Sequence, residues 1–255
     1  MKPPVIIIGL GEMGGVFARG FLRSGYPVYP VTRSDSSAEL AQQIPEPALV
    51  LLAVAEKDLH PMLQAIPEPW RKKLALLQNE LLPGDWRQYG YSSPTEISAW
   101  FEKKKGQDVK VLIPSPTYGP QAALLRTALN SIDIPVTLID DESRLLFELV
   151  RKNVYILTTN ICGLQTGGTV GRLWSQHREL AESVASEVIR IQEKLTGQSL
   201  QSDALVSGMV EAFEGDLEHN CMGRSAPARL QRALELADSF GLEVPRMKAI
   251  ATHAG

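Results

Sequence analysis

The stretch VIIIGLGEMGG, residues 5–15, decides the fold. Its four β-branched residues predict a buried strand over 5–8, which the glycines follow in the spacing G-x-G-x-x-G. The next stretch, VFARGFLRSGYP at 16–27, is predicted to continue as a helix that ends at Gly25 and Pro27. A glycine turn between a strand and a helix is typical of the first β-α-β unit of a dinucleotide-binding domain.

Each glycine of this turn has a physical role in such a domain. The first permits a tight turn, the second lets backbone approach a pyrophosphate, and the third lets the helix pack closely. The N-terminus of the helix adds positive potential for the phosphates. We therefore predict that Gly9, Gly11 and Gly14 bind a dinucleotide, with a purely structural glycine turn as the alternative.

The end of the second predicted strand bears on the choice between NAD and NADP. In NAD-binding domains an acid at this point bonds the ribose 2′-hydroxyl. Here the stretch PVYPVTRSDSS, residues 27–37, has Thr32, Arg33 and Ser34 at the tip. A guanidinium and a hydroxyl suit a 2′-phosphate. We predict NADP, bound by Arg33 and Ser34, although Asp35 just beyond is able to serve the ribose of NAD.

Short apolar runs alternate with helical segments over the first 140 residues, which predicts a mainly parallel sheet with both faces buried. The runs lie at 5–8, 28–31, 48–54, 74–78, 109–113 and 136–139. The chain after Arg33 is long enough for a short helix but not for the usual third strand of this fold. We therefore predict a trimmed sheet with the second strand at its edge, where Pro30 is tolerated.

Helical periodicity replaces the β runs from residue 141 onward, with Asp140 or Asp141 as the predicted N-cap. We predict an α/β fold in two domains: a doubly wound Rossmann-type domain over 1–140 and an all-α domain over 141–255. The Pro/Gly-rich stretch 81–96 is expected to be a surface excursion of the first domain.

Composition limits the classes of function. The 255 residues are 44% hydrophobic and 22% charged, as in folded globular proteins, and the net charge of -3 gives no basic surface for nucleic acid. The apolar runs are shorter than the roughly 18 to 20 residues that cross a bilayer, and Glu12 and the glycines argue against a signal peptide. Two cysteines and four histidines lack metal-ligand spacing. We expect buried free thiols in a cytoplasmic protein without metal, membrane or nucleic-acid partners.

A lysine, Lys152, lies in the apolar stripe of the first helix of the second domain. Steps of three and four residues from it reach Leu145, Leu149, Ile156 and Thr159, whereas a separate polar face is predicted for Arg144, Glu148, Arg151 and Thr158. An ammonium there must snorkel, find a partner or face a cleft, and partial desolvation would lower its pKa toward that of a proton donor. The pattern leaves two interpretations open: a lysine in a reaction cleft, or one that snorkels at a domain interface.

Several short motifs recur in order along nearly the whole chain. They are GLGEMGG at 9–15, LLAVAEK at 51–57, LLQN at 76–79, TYGP at 117–120, LVRKNVYILTTN at 149–160 and FGLEVP at 240–245. With these motifs the chain resembles the ketopantoate reductases, within the 6-phosphogluconate dehydrogenase-like superfamily of NAD(P)-dependent dehydrogenases. The resemblance implies an oxidoreductase that uses NADPH to reduce a small carbonyl compound. Because the helical domain of such enzymes often pairs, it also makes a homodimer possible.

The resemblance also implies the residues of the site. The cofactor loop corresponds to Gly9, Gly11, Met13 and Gly14. Lys57 matches a lysine that faces cofactor and substrate, and Asn79 matches an asparagine beside the nicotinamide ribose. Lys152 matches the catalytic lysine, which donates a proton to the carbonyl oxygen as hydride arrives, and Asn160 matches a substrate-site asparagine.

The chain departs from the family pattern at three positions. Ser225 replaces an essential glutamate, and Val170 and Ile156 replace two asparagines. Ketopantoate itself is therefore not the expected substrate. Nearby acids are predicted to face solvent: Glu211, Glu214 and Glu218.

Three hypotheses follow from the residues and the resemblance. The first is an NADPH-dependent reductase of a 2-ketoacid-like compound. The second is an NADP-binding sensor or interaction protein that has lost catalysis, which the missing glutamate favours. The third keeps hydride chemistry but acts on imines or β-hydroxyacids; such relatives commonly carry K-x-x-x-N, and Ile156 in that spacing counts against it.

Overall fold

A computed structural model of the chain describes the backbone of residues 2–254 and the side chains of residues 2–252. The chain divides into two compact units, unit 1 being Met1–Glu148 and unit 2 being Leu149–Gly255. Among the described residues, no helix combines the length and the apolar character needed to cross a membrane.

Unit 1 is built on a sheet of seven strands. Its strands and those of a small ribbon are β1 (Val5–Ile8), β2 (Val28–Val31), β3 (Leu49–Leu52), β4 (Leu74–Leu76), β5 (Thr95–Ile97), β6 (Phe101–Glu102), β7 (Lys110–Val111), β8 (Ser115–Tyr118) and β9 (Val136–Leu138). The sheet has the order β2-β1-β3-β4-β5-β8-β9. Strands β1 to β5 run parallel, whereas β8 pairs with β5 in the antiparallel sense and β9 runs parallel to β8.

Five helices flank this sheet: α1 (Glu12–Arg23), α2 (Ser37–Gln43), α3 (Leu59–Ala65), α4 (Pro83–Arg87) and α5 (Ala122–Asn130). Helices α1 and α5 cover one face, where Phe17 and Leu125 join a core with Ile7 and Leu51 of the sheet. Helix α1 ends as predicted, because Gly25 adopts a φ of +77° that reverses the chain toward β2.

The trimmed sheet is confirmed. Strand β2 is at the edge and, among the described strands, pairs with β1 alone, so Pro30 costs the sheet little. Two other predictions are wrong. The run at 109–113 gives only β7, which pairs with β6 in a separate two-stranded ribbon. The stretch 81–96 is not a surface excursion either, because Trp86 and Tyr91 are buried and the stretch leads into β5, an inner strand.

Unit 2 is all-helical apart from an isolated bridge between Thr169 and Asn220, as predicted. Its helices are α6 (Glu142–Thr166), which begins in unit 1, α7 (Val170–Gln176), α8 (Arg178–Thr196), α9 (Ser202–Gly215), α10 (Ala226–Ser239) and α11 (Pro245–Ala254). Asp141 caps α6, because its Oδ1 accepts the backbone N–H of Arg144 at 2.7 Å. Bonds from the Ser143 hydroxyl and from Arg144 lower the pKa of Asp141.

Helix α6 is buried around almost its whole circumference, so the polar face predicted for it is wrong. Of the four residues assigned to that face only Arg144 is exposed; Glu148, Arg151 and Thr158 are buried. Arg151 tolerates burial because its guanidinium finds partners. Arg151 Nε donates to Gly208 O at 3.0 Å, and Arg151 Nη2 lies 3.0 Å from Glu211 Oε2.

Candidate nucleotide and substrate site

The glycine loop between β1 and α1 is closed on one side and open on the other. Gly9 has a φ of +93°, and a Cβ there would lie 2.6 Å from Ala53 O. A Cβ on Gly14 would lie 2.2 Å from Gly9 O, so both positions exclude a side chain. A Cβ on Gly11, in contrast, would have no atom within 4 Å. The loop is therefore compact against the sheet and leaves open space at Gly11.

The start of α1 suits an anion. Gly11 is the N-cap residue and supplies no side chain to cap the N–H groups of the first turn. Met13 is half-buried, and its side chain packs on the core of unit 1. A contact between Met13 and a nucleotide would come from its backbone. The loop thus fits a pyrophosphate through backbone donors alone.

The turn after β2 presents Arg33 and Ser34 to solvent. Asp35 is used inside this turn: its Oδ2 accepts the Thr32 N–H at 2.7 Å and the Thr32 hydroxyl at 2.5 Å. These two bonds from Thr32 lower the pKa of Asp35. The Thr32 hydroxyl also lies 3.1 Å from the Ser34 hydroxyl. Asp35 therefore shapes the turn, which leaves the guanidinium of Arg33 as its exposed charged group.

Lys57 and Asn79 follow the carboxyl ends of the next two strands. Lys57 is exposed in a short 3-10 segment, Glu56–Asp58, and Asn79 is half-buried in the turn after β4. Gln78 fixes the start of that turn, because its Nε2 donates to Leu52 O at 2.7 Å. Parallel strands place their carboxyl ends along one edge of a sheet. The loop at Gly9–Gly14 and the residues Arg33, Ser34, Lys57 and Asn79 therefore share this edge of unit 1.

Glu96 of β5 lies at the same level of the sheet and was missed by sequence reasoning. It pairs in register with Leu76 of β4 and is 1% exposed, and its Oε2 has no hydrogen-bond partner among the residues that the structure describes. Burial raises the pKa of Glu96 to about 9; the charge of Glu142 adds to the rise and that of Arg87 opposes it. The run TEI at 95–97 could have indicated a strand, but it is short and follows a Pro/Gly-rich stretch that favours a loop.

In unit 2, Lys152 and Asn160 lie on α6 and are 7% and 8% exposed. Their separation of eight residues corresponds to about 12 Å along the helix axis. Asn160 is held on both sides of its amide: Nδ2 donates to Cys221 O at 3.2 Å, and Oδ1 accepts from Arg229 Nη1 at 2.9 Å. Asn160 thus links α6 to α10 and to the loop before it.

Ser225, which the resemblance predicts to replace a family glutamate, is the N-cap of α10. Glu211, Glu214 and Glu218 are exposed, as predicted, and Glu211 pairs with Arg151. Within the described part of unit 2, the buried acid is Glu187, whose two carboxylate oxygens accept the backbone N–H groups of Arg246 and Met247 at 2.8 and 2.9 Å. That bond pattern caps α11, so Glu187 has a structural role.

Cys162 and Cys221 are free and buried, as expected. Burial raises the pKa of Cys221 to about 11 and raises that of Cys162 well above its ordinary value. Because the thiolate is the reactive form, both cysteines are inert.

No protein-family model matches the chain, and no curated protein matches it. Solved structures do match over almost the whole length. A PanE/ApbA family ketopantoate reductase from Ralstonia eutropha JMP134 has a TM-score of 0.67 at 15% identity, covering 100% of this chain and 97% of that chain. D-mandelate dehydrogenase in complex with NADH has a TM-score of 0.68 at 14% identity, covering 99% and 97%.

The dimeric ketopantoate reductase from Staphylococcus aureus is also similar, with a TM-score of 0.65 at 15% identity over 98% of this chain and 97% of that chain. At such low identities the similarity concerns the fold. The chain therefore has the two-domain fold of the ketopantoate reductases, and the resemblance predicted from its motifs is confirmed at the level of the fold.

Proposed function

We propose that the protein is an NADPH-dependent oxidoreductase that reduces a small 2-oxo acid. The glycine loop carries the proposal, because Gly9 and Gly14 exclude a side chain while Gly11 leaves the space that a pyrophosphate needs. The fold supports it: the similar structures include ketopantoate reductases and a D-mandelate dehydrogenase solved with NADH.

The residues at the carboxyl edge of unit 1 fit a dinucleotide. In the proposal, the loop at Gly9–Gly14 binds the pyrophosphate and Arg33 with Ser34 binds the 2′-phosphate. Lys57 and Asn79 contact the nicotinamide half. When bound, the nicotinamide supplies the hydride. The exposed guanidinium of Arg33 and the commitment of Asp35 to its own turn support NADP over NAD.

Lys152 is the proposed acid. Its Nζ donates a proton to the carbonyl oxygen, which becomes the hydroxyl of the product. The 7% exposure of Lys152 supports this role, because a general acid acts best where bulk water is excluded. Asn160 is proposed to orient the substrate, with its amide fixed by Cys221 and Arg229. Ketopantoate is not proposed as the substrate, given Ser225 in place of the glutamate.

Titration of the purified protein with NADPH and with NADH, followed by tryptophan fluorescence or calorimetry, tests the proposal first. We expect NADPH to bind more tightly than NADH, and a panel of 2-oxo acids to include one that oxidises NADPH. Failure of both nucleotides to bind would leave the glycine loop with a structural role only and would remove the proposed function.

A second candidate is an NADP-binding sensor or interaction protein without catalysis. Two observations favour it: Ser225 stands where a glutamate is expected, and the Asn160 amide already has protein partners on both sides. It predicts that NADPH binds but that no carbonyl compound oxidises it. For either function we propose a cytoplasmic location and a homodimer, the dimer by analogy with the enzyme from S. aureus.

A further inference from the structure

The buried glutamates of the described residues differ in how their carboxyl groups are satisfied. There are three: Glu96, Glu148 and Glu187. Glu187 caps α11 through two backbone N–H groups, and Glu148 Oε1 lies 3.6 Å from Arg144 Nε. Within residues 2–252, Oε2 of Glu96 has no hydrogen-bond partner. Because an unsatisfied buried oxygen is costly, this exception needs an explanation, and a ligand is one of the few available.

Glu96 lies where an open α/β sheet binds ligands. In register across the sheet it continues a row of aliphatic residues at the carboxyl ends of the parallel strands: Ile8 of β1, Leu52 of β3 and Leu76 of β4. Strand β5 is the last of the parallel set, since β8 reverses direction. A single carboxyl group therefore interrupts an apolar layer at the edge that also carries Lys57 and Asn79.

The charged groups that act on Glu96 leave it as a neutral acid. They are Glu142 at the start of α6 and Arg87 at the end of α4, which pair with each other at 3.1 Å. A further titratable residue, Tyr118, is opposite Glu96 on β8. Arg87 and Glu142 are exposed and pair with each other, so the burial of Glu96 has the largest effect on its pKa. A pKa of about 9 keeps the Glu96 carboxyl protonated at neutral pH. A protonated carboxyl has one O–H donor.

We propose that Glu96 is a substrate-binding residue whose O–H donates a hydrogen bond to the carboxylate of the 2-oxo acid. This role rests on the proposed function and names the substrate group that this part of the sheet recognises. An O–H···O⁻ bond is charge-assisted and strong, whereas an ionised Glu96 would repel the same carboxylate.

The test compares an acid with its uncharged ester. Phenylglyoxylate, the oxidised form of mandelate, and methyl phenylglyoxylate are titrated by calorimetry into the NADP⁺ complexes, which have no hydride to transfer. The proteins are wild type, E96A, E96Q and a matched control, E39A, at an exposed glutamate of α2. We expect E96A to bind the acid about 10- to 100-fold more weakly and the ester within about twofold of wild type. E96Q keeps an N–H donor and should stay close to wild type, as should E39A.

A pH series separates hydrogen bonding from structural support. Wild-type affinity for the acid should fall as pH rises through about 9, where Glu96 ionises, and E96Q should not show that fall. Equal losses for acid and ester in E96A, unchanged acid affinity in E96A, or no acid binding by wild type would each overturn the role of Glu96. NADPH binding with any carbonyl turnover would still support the proposed function, so the two failures are distinguishable.

Discussion

The candidate residues of the two units differ in exposure. In unit 1, Arg33 and Lys57 are exposed in short segments that follow strands, whereas in unit 2 Lys152 and Asn160 are buried in α6. An exposed residue of a binding loop can be changed at little cost to folding. A buried polar residue supports the fold whether or not it has a chemical role. Activity lost by changing unit 2 must therefore be separated from stability lost.

Lys152→Ala has the largest expected effect and tests directly whether a buried residue of unit 2 has a chemical role. Loss of a general acid should lower kcat about 10²- to 10⁴-fold while the Kd for NADPH stays within about twofold. NADPH oxidation and a fluorescence titration measure the two quantities. Lys194→Ala, at an exposed position of α8, is the matched control. A variant that keeps the wild-type kcat would show that Lys152 has only a structural role.

Gly14→Ala tests whether backbone geometry alone makes the loop of unit 1. Its Cβ would meet Gly9 O at 2.2 Å, so the loop must shift, and we expect NADPH affinity to fall more than tenfold and the free energy of unfolding to fall by about 1–3 kcal/mol. Gly15→Ala, with no atom within 4 Å of the new Cβ, serves as control. Equal affinities of the two variants would contradict the geometric argument.

Glu96→Gln tests the candidate residue of unit 1 that is buried and not exposed. The pKa of Glu96 is about 9 in the folded chain and 4.5 ordinarily, so the folded chain binds this proton more tightly than the unfolded chain. The stability that this proton contributes is fully present below pH 4.5 and is lost as pH rises through 9. Relative to E96Q, wild type should lose about 1.4 kcal/mol per pH unit across that window, on the order of 3 kcal/mol by pH 7. Urea unfolding at pH 5, 7 and 9 measures the difference. Parallel pH profiles would show that Glu96 is not held neutral.

Arg33→Ala tests an exposed residue of unit 1. Of the four changes, it should have the smallest effect, because it alters the affinity for one nucleotide and leaves folding unchanged. We expect NADPH to bind about 10- to 100-fold more weakly and NADH to be nearly unaffected, since a charge-assisted bond to the 2′-phosphate is lost. Arg23→Ala, at the exposed end of α1, is the control, and thermal unfolding should be unchanged in both. If NADH weakens as much as NADPH, Arg33 does not read the 2′-phosphate.

Much of unit 1 could be predicted because its signals are local. The run at 5–8, the glycine spacing and the position of Pro30 each depend on neighbouring residues, and the structure agrees with all three. Strand β5 was missed because three residues after a Pro/Gly-rich stretch give no periodicity to read. Its burial depends on pairing with β8, about 20 residues later in the chain.

The burial of α6 could not be predicted for a related reason. The sequence predicts a polar face that includes Arg151, yet Arg151 is buried. Three polar residues of α6 each meet a partner far along the chain: Gly208 O for Arg151, Gln192 for Asn153 and Arg229 for Asn160. Such pairs become visible only when the helices are packed. The same limit applies to Asn160, whose motif suggests a substrate contact while its structure shows two protein contacts.

The edge position of β2 also bears on how copies of this chain associate. An unpaired strand edge invites another strand to add to it, and such addition can lead to aggregation. Here that edge is four residues long and contains Pro30, which has no N–H to offer an incoming strand. The opposite edge, β9, has only three residues. Neither edge of the seven-stranded sheet is a good template for an added strand, so copies of this chain are not expected to associate by extending that sheet.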